Sequence, residues 1–150
     1  THSSISQESS QSVAHNQRLE FLGDAVLQLS LTRELFIRYP DLEEGPLTKA
    51  RSRLVNQTSL AERAALVELG ACLFLSRSEE VNGGRARPSI LADAFEAVIG
   101  AVFLDGGYEP ARDMVVRLFD DRLDLAEELV SAGNPKGELQ EILQARTQQS

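Results

Sequence analysis

The most informative segment of this chain runs His15-Asn16-Gln17-Arg18-Leu19-Glu20-Phe21-Leu22-Gly23-Asp24-Ala25-Val26-Leu27. Apolar residues here and just beyond recur at i, i+3, i+7 and i+10, which predicts a helix packed against a core: Leu19, Leu22, Val26 and Leu29. Asn16 precedes this stripe and is predicted to be the N-cap. Glu20 and Asp24 are one turn apart, so their carboxylates share one side of the helix beside the apolar stripe.

A second segment with paired acids lies in the C-terminal half of the chain. Ile90 to Leu104 is apolar on nearly every side, which predicts the most buried helix of the domain, and Ser89 is placed as its N-cap. Asp93 and Glu96 are the only charges in this helix. Ionised carboxylates are costly in apolar surroundings, so a cationic partner or a bound proton is expected at both positions.

Four carboxylates on two helices that must pack together predict an all-oxygen site for a hard divalent cation. Metals held in this way support phosphoryl chemistry by positioning water and stabilising a leaving oxygen. The alternative for the first pair is that Glu20 is solvated and Asp24 pairs with a surface arginine. A di-iron bundle requires Glu-x-x-His spacing, which neither His2 nor His15 provides.

Composition favours one all-α domain. Hydrophobic residues make up 42% of the 150 positions, Trp is absent, and no segment alternates with period two. No apolar run is long enough to cross a bilayer, so a cytoplasmic protein without membrane contact is expected. The single Cys72 cannot form an internal disulfide and is predicted to be a small core residue.

The net charge of −8 argues against a nucleic-acid binder only if the acids are counted without their metal. Lys49, Arg51 and Arg53 form the densest positive patch, and Arg85 and Arg87 lie in a glycine-rich loop before the second acidic helix. These five bases are candidate contacts for the phosphates of a nucleic acid, which position a protein without reading sequence. The alternative is solvated surface charge.

Helix boundaries follow from caps and breakers. Residues 1–14 are predicted to be a loop, the first helix to end near Arg38 before Tyr39-Pro40, and Gly70 to close a third helix. The remaining helices are expected at about 47–56, 59–69, 90–104 and 110–130, with a flexible loop at 78–89, a linker at 131–137 and a short amphipathic helix at 138–145.

The segment Asn16-Gln17-Arg18-Leu19-Glu20-Phe21-Leu22-Gly23-Asp24-Ala25-Val26-Leu27 resembles the signature motif of the ribonuclease III endonuclease domain, nearly residue for residue. Ser89 to Ala101 resembles the second catalytic helix of that family, and the likeness extends from Thr1 to about Leu129. It implies a catalytic domain at 1–131 without the helix that family members place ahead of it. The tail, 132–150, resembles a linker and the start of a double-stranded-RNA-binding domain.

This resemblance implies an all-α, homodimeric, Mg²⁺-dependent endonuclease that cleaves double-stranded RNA and leaves 5′-phosphates, 3′-hydroxyls and short 3′ overhangs. Mn²⁺ is expected to substitute for Mg²⁺. Bacterial members process ribosomal RNA precursors and messenger RNAs. The rival function is a catalytically inactive scaffold of the same fold that binds structured RNA, and retention of the acids distinguishes the two.

Residue roles can also be carried over by position. Glu20, Asp24, Asp93 and Glu96 match the metal ligands of the family. Glu44 matches an acid that lines the cleft between subunits, and Gln17 replaces the Glu that is usual in that cleft. Phe21 matches an aromatic that enters a socket on the partner subunit, the alternative being an ordinary core Phe. Duplex RNA is recognised by shape through phosphates and 2′-hydroxyls, and the residues expected to form its binding surface are Lys49, Arg51, Arg53, Arg85, Arg87 and Ser89.

Overall fold

A computed structural model describes residues 2–128 of the chain, with side chains described from Asn16 onward. The described residues form α-helices and two 3₁₀ turns and contain no strand, which confirms the all-α prediction. The helices are α1 (His2–Arg38), α2 (Glu44–Val55), α3 (Gln57–Leu66), α4 (Arg77–Val81), α5 (Pro88–Gly106) and α6 (Tyr108–Asp124). The 3₁₀ turns are Leu69–Cys72 and Gly84–Ala86.

The start of α1 differs from the sequence prediction. The helix begins at His2, so residues 2–14 are helical, and Asn16 lies inside the helix instead of capping it. Residues 2–15 contain neither Gly nor Pro, and extending an existing helix is far easier than starting one. The predicted end near Arg38 is confirmed, with Pro40 two residues beyond it.

The C-terminal end of α3 and the N-cap of α5 also differ from those predicted. Asn56 caps α3, its side chain accepting a hydrogen bond from the Ser59 backbone N–H at 2.8 Å. After α3 the left-handed residue is Glu68, with φ 56°, and Gly70 lies within the following 3₁₀ turn. Proline is favoured at the first helical position because it has no N–H to satisfy, so α5 begins at Pro88, and Ser89 is its second residue instead of its cap.

Two further sequence predictions can be compared with the described residues. The predicted flexible loop at 78–89 contains α4, whose Ser76 and Glu79 form a capping box, and a 3₁₀ turn. Helix α6 begins two residues before Pro110, directly after Gly107, whose φ of 87° suits glycine. The predicted linker and short helix between 131 and 145 lie outside the described residues.

The core is built where α1, α5 and α6 meet, with α2 and α3 packed alongside. Its largest fully buried apolar side chains come from all of these helices except α3: Leu27, Leu31, Leu35, Leu54, Ile99, Val115, Phe119 and Leu123. Each such side chain contributes roughly 1.5–3 kcal/mol by leaving water. Cys72 is exposed, so its prediction as a core residue is wrong.

Two arginines fix α6 to its neighbours. Arg38, at the end of α1, donates to Asp120 at 3.0 Å and to Asp124 at 2.8 Å. Arg63 of α3 is buried, donates to Asp121 at 2.9 Å, and has its guanidinium 5.9 Å from the centre of the Phe119 ring. These contacts hold α6 against α1 and α3.

No helix among the described residues is both long enough and apolar enough to cross a membrane.

Helices α1 and α5 touch backbone to backbone at Gly23 and Gly100. A Cβ built on Gly100 would lie 2.2 Å from the Leu19 carbonyl oxygen, and one on Gly23 would lie 1.7 Å from the Glu96 carbonyl oxygen. Side chains at either position would therefore force the two helices apart. This crossing places the two acidic pairs on adjacent surfaces.

Replacing Gly100 by Ala should destabilise the fold by on the order of 3 kcal/mol, because a backbone oxygen cannot move out of the way as a flexible side chain can. The matched control is Gly45→Ala in α2, where an added Cβ meets nothing within 4 Å. The control should be neutral or stabilising, since Ala is the better helix former. Urea denaturation of both variants measures the difference, and equal stabilities would contradict the close crossing.

Candidate active site

The candidate active site lies beside the crossing of α1 and α5. Glu20 and Asp24 flank Gly23 on α1, and Glu96 is one turn before Gly100 on α5. Asp93 precedes Glu96 by three residues, so it lies on the same side of α5. The two acidic pairs that the sequence analysis singled out are therefore brought together.

Glu96 is the most perturbed acid in this cluster. Its side chain is half-buried, and this burial, with hydrogen bonding to Asp24, raises its pKa from 4.5 to about 8. The charges of Asp24, Glu20 and Asp93 raise the pKa of Glu96 further. Without a cation Glu96 therefore retains its proton at neutral pH and can donate it to the Asp24 carboxylate.

Glu20 forms the second contact between acids across the crossing. Burial raises the pKa of Glu20, and the charge of Asp93 and hydrogen bonding to Asp93 act in the same direction, followed by the charge of Asp24. Each hydrogen-bonded pair joins one acid from α1 to one from α5. Like charges held this close disfavour full ionisation unless a cation or protons neutralise them.

The four carboxylates offer a donor set suited to a hard divalent cation. In the part of the chain whose side chains are described, no three acidic, His or Cys side chains surround a common point as a metal site would require. The acids instead turn toward each other in pairs, Glu20 with Asp93 and Glu96 with Asp24. Oxygen donors alone favour Mg²⁺ or Mn²⁺ and do not favour Zn²⁺.

Comparison with known proteins identifies the family. The model of the ribonuclease III-like family matches residues 1–122, which is most of the chain. The chain belongs to the ribonuclease III-like family. Ribonuclease 3 of Heliobacterium modesticaldum is 57% identical over 120 residues, covering 80% of this chain and 51% of the relative. Ribonuclease 3 of Oleidesulfovibrio alaskensis is 47% identical over 144 residues, covering 96% of this chain and 63% of the relative.

Solved structures agree with this assignment. A ribonuclease III nuclease domain from Campylobacter jejuni has a TM-score of 0.69 and 47% sequence identity, covering 71% of this chain and 75% of that chain. That structure is described as flexible in a region involved in dimer formation. The chain spans roughly half to two-thirds of the length of the curated relatives named above.

Within this ribonuclease III-like chain, the predicted dimer residue Phe21 lies on the outer face of α1. Its side chain is 82% exposed, which excludes the alternative of an ordinary core Phe. Leu29 and Phe36 are also exposed, and the helical repeat of 100° per residue places both within a quarter turn of Phe21. We call Phe21, Leu29 and Phe36 the α1 stripe. The predicted cleft residue Gln17 is exposed one turn before Phe21.

Glu44 and the basic residues of α2 lie around the other end of the α1 stripe. Glu44 is the first residue of α2 and lines a cavity of about 440 Å³ together with Phe36 and Arg51. Arg51 also donates to the Thr32 hydroxyl at 3.1 Å, across the α1–α2 contact. The two remaining bases, Lys49 and Arg53, are exposed to solvent.

The other candidate RNA residues differ in their surroundings. Arg85 donates to the backbone carbonyls of Gly70 and Leu73 and to the carboxylate of Glu80. Arg87 is exposed immediately before α5, and Ser89 is half-buried in the first turn of that helix. The structure thus places Arg85 among internal contacts and Arg87 at the surface.

Sequence reasoning missed the two glycines that bring the acids together. A single glycine inside a helix indicates either a less stable helix or a close contact with another backbone, and the sequence pattern alone does not distinguish the two. Gly23 follows Glu20 by three residues and precedes Asp24, while Gly100 follows Glu96 by four. A glycine within one turn of an acid on each of two apolar helices was the signal available in the sequence.

The acid cluster should make the metal-free protein less stable as pH rises. A folded-state pKa raised from 4.5 to about 8 means that the stabilising contribution of Glu96 is complete below about pH 4.5 and is lost as pH rises through about 8. The charges of Asp24, Glu20 and Asp93 contribute to this raised pKa of Glu96. Glu96→Gln, which is always neutral, should therefore gain stability relative to the parent as pH increases.

Thermal unfolding in the presence of a chelator measures this difference across the same pH interval. The matched control is Glu109→Gln, because Glu109 is an exposed acid in the first turn of α6. The control should follow the parent at every pH. Parallel curves for Glu96→Gln and the parent would show that Glu96 is not protonated preferentially in the folded state.

Proposed function

We propose that this chain is the catalytic part of an endoribonuclease that hydrolyses double-stranded RNA with the help of a divalent metal. The products are 5′-phosphate and 3′-hydroxyl ends with short 3′ overhangs. The observation that carries the proposal is that acids of α1 and α5 pair across the helix crossing, Glu20 with Asp93 and Asp24 with Glu96, in a member of the ribonuclease III-like family. Because all four acids are present, the inactive scaffold is not favoured.

Glu20, Asp24, Asp93 and Glu96 would hold Mg²⁺, and Mn²⁺ would substitute for it. When bound, such a cation makes water a better nucleophile and polarises a phosphate oxygen. Asp24 and Asp93 approach the site from different helices, so the close crossing fixes the distance between the backbones that carry them. Glu96 is the acid whose ionisation depends most on a cation, because its burial and neighbours otherwise keep it protonated.

The RNA-binding surface that we propose is centred on α2. Lys49 and Arg53 are exposed and separated by one helical turn, so both side chains lie on the same face of α2. From this face they would contact phosphates of the RNA backbone and not its bases. Arg51 lies between them in sequence, and Arg87 and Ser89 are placed at the start of the helix that carries Asp93. Few bases are needed because duplex RNA is recognised by its shape.

The partner of this chain that we propose is a second copy of itself. The α1 stripe extends over 15 residues, about 22 Å of helix, from Phe21 beside the acid cluster to Phe36 at the α1–α2 cavity. Exposed apolar surface of this length on a soluble domain is characteristic of an interface. In a homodimer each subunit would cut one RNA strand, and Gln17 and Glu44 would line the cleft between subunits.

The cellular role that we propose is supported by the same family membership. We propose that the full protein processes ribosomal RNA precursors and messenger RNAs, which places it in the cytoplasm. Residues 132–150 would connect the catalytic domain to a double-stranded-RNA-binding domain, and 1–131 would form the catalytic domain itself.

The decisive experiment is incubation of a long, perfectly paired RNA duplex with the chain, with and without Mg²⁺. Cleavage should require Mg²⁺, and Glu96→Gln should reduce its rate more than about a hundredfold, since even changes beside metal ligands typically cost about 10- to 100-fold. Binding of the duplex should be retained. Glu109→Gln is again the matched control and should cleave normally, whereas a parent chain that binds but never cuts would establish the scaffold function.

The RNA surface has its own test in the salt dependence of binding. Replacing Lys49 and Arg53 together by Gln should weaken binding uniformly across duplex sequences and reduce the log-log salt slope by about two, one unit for each lost phosphate contact. Arg117→Gln on α6 is the control, because Arg117 is exposed on a helix outside the proposed RNA surface. An unchanged slope in the double variant would remove α2 from that surface.

A further inference from the structure

The segment between α3 and α5 has little core of its own. From residue 67 to residue 87, Gly84 is the one buried residue, and Phe74 and Val81 are exposed apolar side chains. Leu69 and Leu73 pack against the core while only partly buried, and α4 contributes no buried side chain, so hydrophobic burial holds this segment only in part. Polar contacts must supply much of the order in this segment.

Arg85 makes those contacts from one guanidinium group. Its Nη1 donates to the Gly70 carbonyl at 2.9 Å and to the Leu73 carbonyl at 2.7 Å, while its Nε donates to Glu80 Oε1 at 2.6 Å. One side chain thus connects the first 3₁₀ turn, the chain after it, and α4. We call this set of contacts the Arg85 clasp.

The backbone of Arg85 also lies close to Gly70. A Cβ on Gly70 would lie 2.6 Å from the Arg85 carbonyl oxygen and 3.5 Å from Leu91 Cδ2. Leu91 is buried in the core and belongs to the first turn of α5. The contact between Gly70 and Arg85 therefore lies directly against the beginning of the helix that carries Asp93.

The connection from Arg85 to α5 is short. The Arg87 N–H donates to the Gly84 carbonyl at 3.2 Å, and the Arg87 carbonyl accepts the first hydrogen bond of α5 from the Leu91 N–H at 3.0 Å. Asp93 follows Leu91 by two residues. Movement of the 3₁₀ turn at Arg85 would therefore displace the start of α5 and, with it, Asp93 relative to Glu20.

We propose that Arg85 is a positioning residue that fixes the start of α5, and so the place of Asp93, and that it is not a phosphate ligand for RNA. This inference rests on the proposed nuclease function only for its catalytic consequence. The guanidinium suits the role because its planar fork donates in several directions at once, which a lysine ammonium on a flexible stem does not reproduce. Its Nε and Nη1 donors are used within the protein, by Glu80 and by the carbonyls of Gly70 and Leu73.

The test compares Arg85→Met with Arg77→Met in the 150-residue chain. Both variants remove one positive charge from the same segment, and Arg77 is an exposed residue of α4 whose side chain makes no hydrogen bond or ion pair with any described residue. Amide hydrogen exchange read by mass spectrometry requires no activity. Arg85→Met should speed exchange in the first turn of α5 by about tenfold and leave the region around Ile99 unchanged.

Duplex cleavage supplies the second measurement. Arg85→Met should lower kcat at least about tenfold, because a displaced ligand acts on the reaction and not on RNA affinity. Its KM and the log-log salt slope of binding should equal those of Arg77→Met. If the parent chain does not cleave at all, the proposed function fails, while hydrogen exchange still tests the clasp.

Two results would overturn the proposal. One is exchange in the first turn of α5 that is equal in the two variants. The other is a salt slope lowered by about one unit in Arg85→Met alone with kcat unchanged, which would make Arg85 a phosphate contact. If Arg85→Met unfolds the chain, Arg85→Lys keeps the charge but not the fork, and parental exchange and kcat in that variant would also overturn it.

Discussion

The contact on which the rest of this structure depends is the crossing of α1 and α5 at Gly23 and Gly100. Helix axes usually lie 8–10 Å apart because side chains separate them. Here the backbone of each helix meets a glycine of the other, since a Cβ at either position would overlap a carbonyl oxygen. Acidic side chains on the two helices can interact across so small a gap. A wider separation would break the hydrogen bond between Glu20 and Asp93.

The same closeness creates an electrostatic problem that the surrounding fold must tolerate. The raised pKa values of Glu20 and Glu96 show that the metal-free arrangement favours shared protons over four full charges. The apolar core beneath the crossing and the arginines that hold α6 supply stability that this cluster does not. A divalent cation bound among these carboxylates would neutralise their mutual repulsion. Metal binding would therefore stabilise the folded protein.

Part of this organisation was predictable from local pattern. The apolar stripe around Leu22 and the acids at i, i+4 and i, i+3 follow from helical geometry, so the helices and the cluster could be predicted before the structure. Caps were less predictable: Ser89 and Asn16 have suitable side chains, yet Arg87 is the N-cap of α5 and α1 continues through Asn16. Arg85 could not be assigned from sequence, since its partners at residues 70, 73 and 80 meet only after folding.

Helix α1 carries Glu20, Asp24 and the α1 stripe on one continuous rod of 37 residues, and it ends at Arg38, which is bound to α6. Each residue of a helix turns the chain by about 100°. Inserting or deleting a single residue between Asp24 and Phe36 would rotate one end against the other by that angle. The acids would then keep their place only if Phe36 and Arg38 lost theirs. Helical geometry therefore fixes the length of this part of the chain as well as its buried side chains.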